Sequence, residues 1–299
     1  MSTRPDQAPI AIVVAMRSEL RHLFAGLELD APAPGSSDPS LAMLTEDDRR
    51  ALTELPAPTR APLAGTWPLW SGTIDGQPVL AVLAGIGPAN AAGALGSLLA
   101  TIPVRAVISY GCAGAHRRDL DLGDVVIADR SVNHAAYDLL PDGMERYRGN
   151  AAATGPDPMP PSETPSDPAL LAAAHRAAAG WQPEPWPGTG RVPAVLTGAI
   201  ASADVWTQAI ARLDILNGRH GTLCEEMEAA ALGVVCQRLA IPFLAIKDIS
   251  NNEYRTVTDI AGGMDEFPLA EVGRRAAALV VRTVGELAAD PATRSDRSS

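Results

Sequence analysis

Residues 224–252, CEEMEAAALGVVCQRLAIPFLAIKDISNN, decide the fold. Three carboxylates, Glu225, Glu226 and Glu228, surround Met227 at its start. Apolar residues then recur at Met227, Ala230, Ala231, Val234, Val235 and Leu239, the three-and-four spacing of a helix with one buried face. Pro242 stops that helix, because its ring lacks an N–H and crowds the preceding turn. Phe243 to Ile249 is a short, mostly apolar run of the kind that forms a strand buried on both faces. Ser250-Asn251-Asn252 adds polar groups beyond the strand's carboxyl end, where an open α/β sheet puts its ligands. An ordinary α/β unit with solvated acids has the same pattern, so ligand site and plain scaffold both stay open at this point.

Working outward, the 299 residues suffice for one large domain or two average ones, and no linker divides them. Hydrophobic residues make up 46% and aromatic ones only 4%, so the core is built from Ala, Val, Leu and Ile. A net charge of −11 argues against nucleic acid or an anionic membrane as partner. Cys112, Cys224 and Cys236 are an odd count without paired spacing, which predicts neither a zinc site nor a disulfide framework. No apolar run is long enough to span a bilayer and no signal sequence opens the chain, so the expected compartment is the cytoplasm.

Residues 1–8 read as a frayed leader. Ile10–Ala15 is a buried strand, and a helix begins at Met16 with Leu20, Leu23, Phe24 and Leu27 facing inward. Glu19 falls in its first turn, where the helix dipole favours a carboxylate; a surface residue serving that purpose alone is the plain alternative. Residues 30–65 are a Pro/Ala/Ser-rich insertion with a short helix expected within Thr45–Leu55. Trp67–Ile74 and Pro78–Ala84 read as a hairpin turning at Asp75-Gly76. Gly85-Ile86-Gly87-Pro88-Ala89-Asn90 then leads into a small-residue helix. Such a turn can present N–H groups to an anion, but Asn90 at the sixth position and no acidic residue about twenty further on argue against a dinucleotide.

Val104–Ser109 is a third strand, ending in Tyr110–Ala115, where two glycines let a ligand approach the backbone. A fourth strand, Val125–Ala128, follows a turn at Leu122–Asp124, and His134 reads as a surface or hydrogen-bonding residue in a polar loop. Residues 140–190 form a second Pro-rich irregular region with one helix at Pro168–Ala179. Val192–Thr197 is strand-like, Gly198–Asp204 a small-residue turn, Trp206–Leu213 a helix, and Leu269–Leu287 an amphipathic closing helix. The tail from Asp290 reads as disordered.

Five segments occur in a telling order: Ile12–Glu19 (IVVAMRSE), Ala84–Ala92 (AGIGPANAA), Gly111–Gly114 (GCAG) with Gly123–Val126 (GDVV), Glu226–Ala229 (EMEA) and Ile246–Asn251 (IKDISN). Together they resemble the nucleoside phosphorylase superfamily, and within it the methylthioadenosine/S-adenosylhomocysteine nucleosidases, over roughly two thirds of the chain. The resemblance implies an α/β fold: a single three-layer domain over residues 1–289, with a mixed central sheet flanked by helices. The Pro-rich stretches near 30–65 and 140–190 are then insertions, and 290–299 a disordered tail. It implies hydrolysis of the N-glycosidic bond of a purine nucleoside, with or without a 5′ modification. No cofactor and no metal are implied, and the only partner beside that small molecule is a second copy in a homodimer.

Residue by residue, Glu19 matches the carboxylate that activates the attacking water. Glu228, beside Met227 and near Glu226, matches the one that holds the ribose hydroxyls. Cys112, Ala113 and Gly114 match the small segment under the purine, where the family usually has Ser in place of Cys112. Gly87 and Ser202 are expected at the substrate, and Asn251 and Asp204 are expected, with Glu19, to take part in catalysis. Asn251 is the departure. Adenine nucleosidases usually carry Asp there to protonate the leaving base, and an amide cannot deliver a proton.

Two substrate readings follow: a 6-oxopurine nucleoside, where this Asn resembles that of the futalosine hydrolases, or an adenine nucleoside protonated from elsewhere. Asp204 lies on a separate loop that the family brings to the base, whereas Asp248 faces the other side of the strand. Lys247 stands where many relatives have Arg, keeping the charge but losing the bidentate fork. The Gly85–Gly87 turn carries no Arg or His for phosphate, which favours water as nucleophile. A phosphorylase and a non-catalytic nucleoside-binding protein are the alternatives.

Overall fold

The structure, a computed structural model, describes residues 8–32, 34, 38–41, 54–147, 163–260 and 267–289. The leader up to residue 7, most of the expected helix within Thr45–Leu55 and the tail from Asp290 lie outside the described residues.

The chain opens with the wholly buried strand β1 (Ile10–Val14) and helix α1 (Arg17–Leu23). Short strands β2 (Glu28–Leu29) and β3 (Arg60–Leu63) precede the hairpin of β4 (Trp67–Ile74) and β5 (Gln77–Leu83). Its turn holds Asp75 and Gly76 at φ 49° and 73°, the positive pair that a type I′ turn requires. Helix α2 (Pro88–Leu99) follows, with Pro at its first position, where no N–H is missed. Strands β6 (Ala106–Ala115) and β7 (Val125–Asn133) come next, then the small hairpin β8 (Tyr137–Leu139) and β9 (Glu145–Tyr147). The chain continues through β10 (Glu163–Pro165), α3 (Pro168–Ala178), β11 (Val195–Ser202) and α4 (Ile210–His220). It ends with β12 (Thr222–Glu226), α5 (Ala229–Arg238), β13 (Phe243–Asn251) and α6 (Arg274–Ala289).

Among the described residues eleven strands form one mixed sheet, nine of them along the path β10-β7-β11-β12-β6-β1-β5-β4-β2, with β3 beside β4. β13 lies parallel to β6 and antiparallel to β7. The pairings β6-β13-β7-β11-β12-β6 therefore close a ring of five strands within the sheet. Residues of β1 alternate between two cores. Ile10, Ile12 and Val14 pack with α1, α3 and α6 through side chains such as Leu20, Leu170 and Val280. Ala11 and Val13 pack on the other face with α2 and α5, through Leu95, Leu98 and Leu232. A strand apolar at every position is what a sheet covered on both sides asks for. The expected three-layer α/β architecture is thus the one observed.

The differences lie at strand ends. Tyr110–Ala115 continues β6 instead of forming a loop, because it pairs with β13 up to Gly114 and with β12 at Gly114 and Ala115. Gly198–Ser202 continues β11 for the same reason, held between β7 and β12. Glu225 and Glu226 end a strand rather than start a helix, and α5 begins only at Ala229. Ladder pairing inside the closed ring outweighs the small-residue and acidic signals that read as turn or helix start. Trp206 precedes α4 in an irregular segment, and the closing helix starts at Arg274 rather than Leu269. Among the described residues, no helix is long and apolar enough to cross a membrane.

Candidate active site

The ends of β6, β12 and β13 and the loops beside them enclose a cavity of about 280 Å³. Of the residues singled out from sequence, Glu19, Cys112, Ala113, Gly114, Glu226, Met227, Glu228 and Asn251 all line it. Glu19 and Asn251, far apart in the chain, thus meet because β1, β6 and β13 run parallel and send their carboxyl ends the same way.

Glu19 is buried, not a surface complement to the helix dipole. Its Oε2 accepts the Met16 N–H at 3.0 Å, and its Oε1 accepts the Cys112 N–H at 2.8 Å. Gly111 makes that approach feasible, since a Cβ there would stand 2.5 Å from Oε1. On the other side, a Cβ at Gly273 would come within 3.0 Å of the Glu19 side chain. Burial pushes the Glu19 carboxyl above its usual range, against the pull of Lys247 and the two backbone donors. A carboxyl raised in this way is a better proton acceptor than an exposed one. The Cys112 thiol is driven far up, first by burial and then by Glu19, and stays protonated.

Glu228 Oε1 accepts the Gly87 N–H at 2.8 Å, so the glycine turn anchors a carboxylate instead of an anion from solution. Gly87 adopts φ 95°, a region that other residues rarely enter. Glu226 accepts the Glu228 and Ala229 N–H groups and pairs with Lys247 Nζ at 2.9 Å. Lys247 also stands 3.9 Å from Glu228 Oε2. Burial works against the Lys247 charge, yet Glu226, Glu228 and Glu19 together hold its ammonium above the usual value. Burial and then the Glu226 charge raise the Glu228 carboxyl, with Lys247 and the Gly87 N–H opposing.

At the opposite end, Asn251 Nδ2 donates to Glu253 Oε1 at 2.9 Å, and its Oδ1 accepts from Ser250 Oγ at 3.0 Å. Glu253 also receives the Thr258 N–H and hydroxyl. Glu225 borders the same region, its Oε1 accepting the Thr207 N–H at 2.6 Å. His116 and His134 stand behind it, their Nε2 atoms 3.2 and 3.5 Å from Oε2. His134 is therefore buried, not in a surface loop. Asp248 faces away from the cavity, as its place in the strand predicts, and accepts the Gly273 and Arg275 N–H groups at the start of α6.

Three expected site residues lie one step back. Ser202 Oγ accepts the Ala230 N–H inside the first turn of α5. Gly87 acts through Glu228. Asp204 is exposed beside the glycine turn, where a Cβ on Gly87 would be 3.3 Å from its Oδ1. Sequence reading missed Met16, Trp206, Glu225, Glu253 and Phe267, which also line the cavity. Trp206 meets the Phe267 ring edge-on at 5.6 Å, a wall that two aromatic residues in a chain so poor in them could have signalled. Glu225 carries no separate signal, since one of three neighbouring acids is indistinct until the ladder orients it.

Residues 9–285 match the family described as the phosphorylase superfamily. The 5′-methylthioadenosine/S-adenosylhomocysteine nucleosidase of Anoxybacillus flavithermus is 33% identical over 194 residues, covering 64% of this chain and 72% of that protein. The crystal structure of the corresponding nucleosidase from Neisseria meningitidis, in complex with methylthio-immucillin-A, is 26% identical. It superposes with a TM-score of 0.65 over 93% of this chain and 99% of its own. The native structure of futalosine hydrolase from Helicobacter pylori reaches the same TM-score, 0.65, over 94% of this chain and 98% of its own. At 21% identity it speaks for the fold alone.

Proposed function

The chain belongs to the phosphorylase superfamily, and we propose that it is a purine nucleosidase, an N-glycosyl hydrolase that releases the free base from a purine nucleoside. One observation carries this reading: Glu19 and Glu228, two buried carboxylates fixed by backbone donors, border one cavity of nucleoside size. Breaking a ribosyl C–N bond puts positive charge on the sugar and negative charge on the leaving base. Glu19 takes a proton from water aimed at the anomeric carbon. Glu228 accepts the ribose hydroxyls, and these charge-assisted bonds strengthen as the sugar becomes cationic. Glu226 and Lys247 position Glu228, while Met227 lies against the sugar. Ala113, Gly114 and Cys112 form the floor under the base, Trp206 flanks it, and Asn251 reads its edge. Asp204, exposed beside the glycine turn and outside the cavity lining, is an auxiliary acid whose loss costs little.

Water is favoured over phosphate by charge. Glu19, Glu225, Glu226, Glu228 and Glu253 all border the cavity, so a phosphate dianion would meet repulsion. Ile86, Val205, Ile260 and Leu269 form an exposed apolar rim, which supports both a 5′ substituent and cover by a second subunit in a homodimer. The same reading treats residues 1–289 as one domain with insertions near 30–65 and 140–190, and three unpaired cysteines support a cytoplasmic setting. The test is incubation with methylthioadenosine, S-adenosylhomocysteine, adenosine, inosine and futalosine, with and without phosphate, identifying base and sugar products. Free base with free sugar, independent of phosphate, is expected. Ribose-1-phosphate that appears only with phosphate would make the chain a phosphorylase.

A further inference from the structure

We infer that Glu225 is a positioning residue: it tethers residues 204–209, and with them the Trp206 wall, against the cavity. What that wall does for substrate rests on the nucleosidase reading; where it is held does not. Residues 204–209 join β11 to α4 without regular structure, and Trp206 among them lines the cavity. Backbone hydrogen bonds secure the two ends, from the Ala203 N–H to the Glu226 carbonyl and from the Arg212 and Leu213 N–H groups to the Ala209 carbonyl. Between them, among the described residues, the backbone of 204–208 makes one hydrogen bond: the Thr207 N–H donates to Glu225 Oε1 at 2.6 Å. Thr207 is accordingly buried, while Asp204, Val205 and Ala209 around it are exposed.

The carboxylate is itself braced from behind. Its Oε2 lies 3.2 Å from His116 Nε2 and 3.5 Å from His134 Nε2, and both rings are buried. His116 follows β6 and His134 follows β7, and their backbone N–H groups donate to the carbonyls of Leu223 in β12 and Ser202 in β11. Thr222 Oγ1 meets His116 Nδ1 at 2.8 Å, an arrangement that suits a neutral imidazole accepting there and carrying its proton on Nε2, toward Glu225. Burial alone would raise the Glu225 carboxyl, but His116, the Thr207 N–H and His134 hold it below its usual value, so it is an acceptor at neutral pH. The ring of five strands thus grips the middle of the segment through one side chain. The segment's other ties are side chains that meet the chain beyond β13. Gln208 Nε2 donates to the Thr258 carbonyl at 2.6 Å, Trp206 Nε1 lies 3.4 Å from Glu253 Oε1, and the indole meets Phe267 edge-on. Without Glu225, Trp206 would follow that part of the chain instead of the sheet. A displaced wall weakens binding of the nucleoside but spares the chemistry at Glu19, which hangs from the Met16 and Cys112 N–H groups.

Glu225→Leu removes the acceptor and fills much of its space, whereas Glu225→Gln keeps an oxygen for the Thr207 N–H. Thr207→Pro deletes the donor from the other side and spares the carboxylate, so the test does not hang on one variant folding. Two quantities are read in the full-length proteins. One is kcat and KM for each of the five nucleosides named above that the intact protein cleaves. The other is acrylamide quenching of Trp206 fluorescence, isolated by subtracting the signal of Trp206→Phe. Glu225→Leu and Thr207→Pro should raise KM by about 10-fold or more, with kcat changed far less, and should open Trp206 to the quencher. Glu225→Gln should restore most of both. Unchanged KM and quenching in Glu225→Leu overturn the inference, as does a loss confined to kcat. A Glu225→Gln protein as impaired as Glu225→Leu overturns it too, since that marks the charge beside the histidines and not the tether. The expected quenching in a protein that cleaves no nucleoside would instead overturn the nucleosidase reading and leave the tether standing.

Discussion

At the sugar end of the cavity, the oxygens of Glu19 and Glu226 and the Oε1 of Glu228 are held by backbone N–H groups, with Lys247 bridging two of these acids. At the base end, Glu225 keeps a buried oxygen without a hydrogen bond, and two histidines stand behind it. The contrast shows a division of labour. On the proposed reading, the acids that act on the sugar are held chiefly by backbone N–H groups and one lysine, while the acids at the other end each take one backbone donor, from Thr207 and Thr258, and otherwise meet side chains.

Glu19→Gln should show the largest effect. Removing the proposed general base is expected to lower kcat by about 10²–10⁴-fold with KM nearly unchanged; a variant with normal turnover in a steady-state assay would break the comparison outright. Lys247→Met follows. It leaves Glu226 and Glu228 buried without their shared cation, and breaking such a network by one partner costs about 3–5 kcal/mol of stability. Chemical denaturation reads this directly, and a loss below 1 kcal/mol would mean that the backbone donors suffice alone.

Gly111→Ala should come next, because its methyl would collide with Glu19 Oε1 at 2.5 Å. A displacement of about 1 Å at the base is expected to cost up to about 10²-fold in kcat. Binding of a non-hydrolysable nucleoside analogue should barely change, and a parallel loss of affinity would point to wider disruption.

A pH profile sharpens the contrast further. Burial raises the Glu19 carboxyl, and the reaction needs it ionised, so kcat/KM should fall on acidification at a pH above the ordinary glutamate range. Stability runs the other way. Between its unfolded and raised folded values the folded chain holds more protons, so stability declines as pH rises through that window. Thermal melts should show the decline, and Glu19→Gln should flatten it. Asp204→Asn should have the smallest effect, a few-fold in kcat, since the residue is exposed and does not line the cavity. A loss as large as that of Glu19→Gln would move the proton donor to the rim.

The sugar end was legible in sequence because its residues sit at element junctions. Glu19 falls just after β1 and Glu228 just before α5, but spacing alone left both readable as surface acids, and the family resemblance singled them out. The base end was half legible. Asn251 closes an apolar strand and so stands out, but Glu225 is seen to border the cavity only once β12 is paired with β6 at Gly114, a neighbour across the ladder and not along the chain. The same cause hid the lengths of β6 and β11. Glycine and small residues read locally as turns, and only the closed ring of five strands draws them into extended pairing. Trp206 was misjudged because a helical period was extended past the true start of α4 at Ile210.

The seat of Glu19 between Gly111 and Gly273 has a consequence for how the chain comes alive. One wall of that seat belongs to β6 and the other to the segment entering the last helix, so the carboxylate is not fully enclosed until the C-terminal part docks. During synthesis, which releases the N-terminal part first, an incomplete chain carries the reacting carboxylate in a half-built, wetter setting. Turnover should then return only once this segment has docked, which makes enzyme activity a reporter of that step. Nucleoside cleavage would be withheld from every partly made copy.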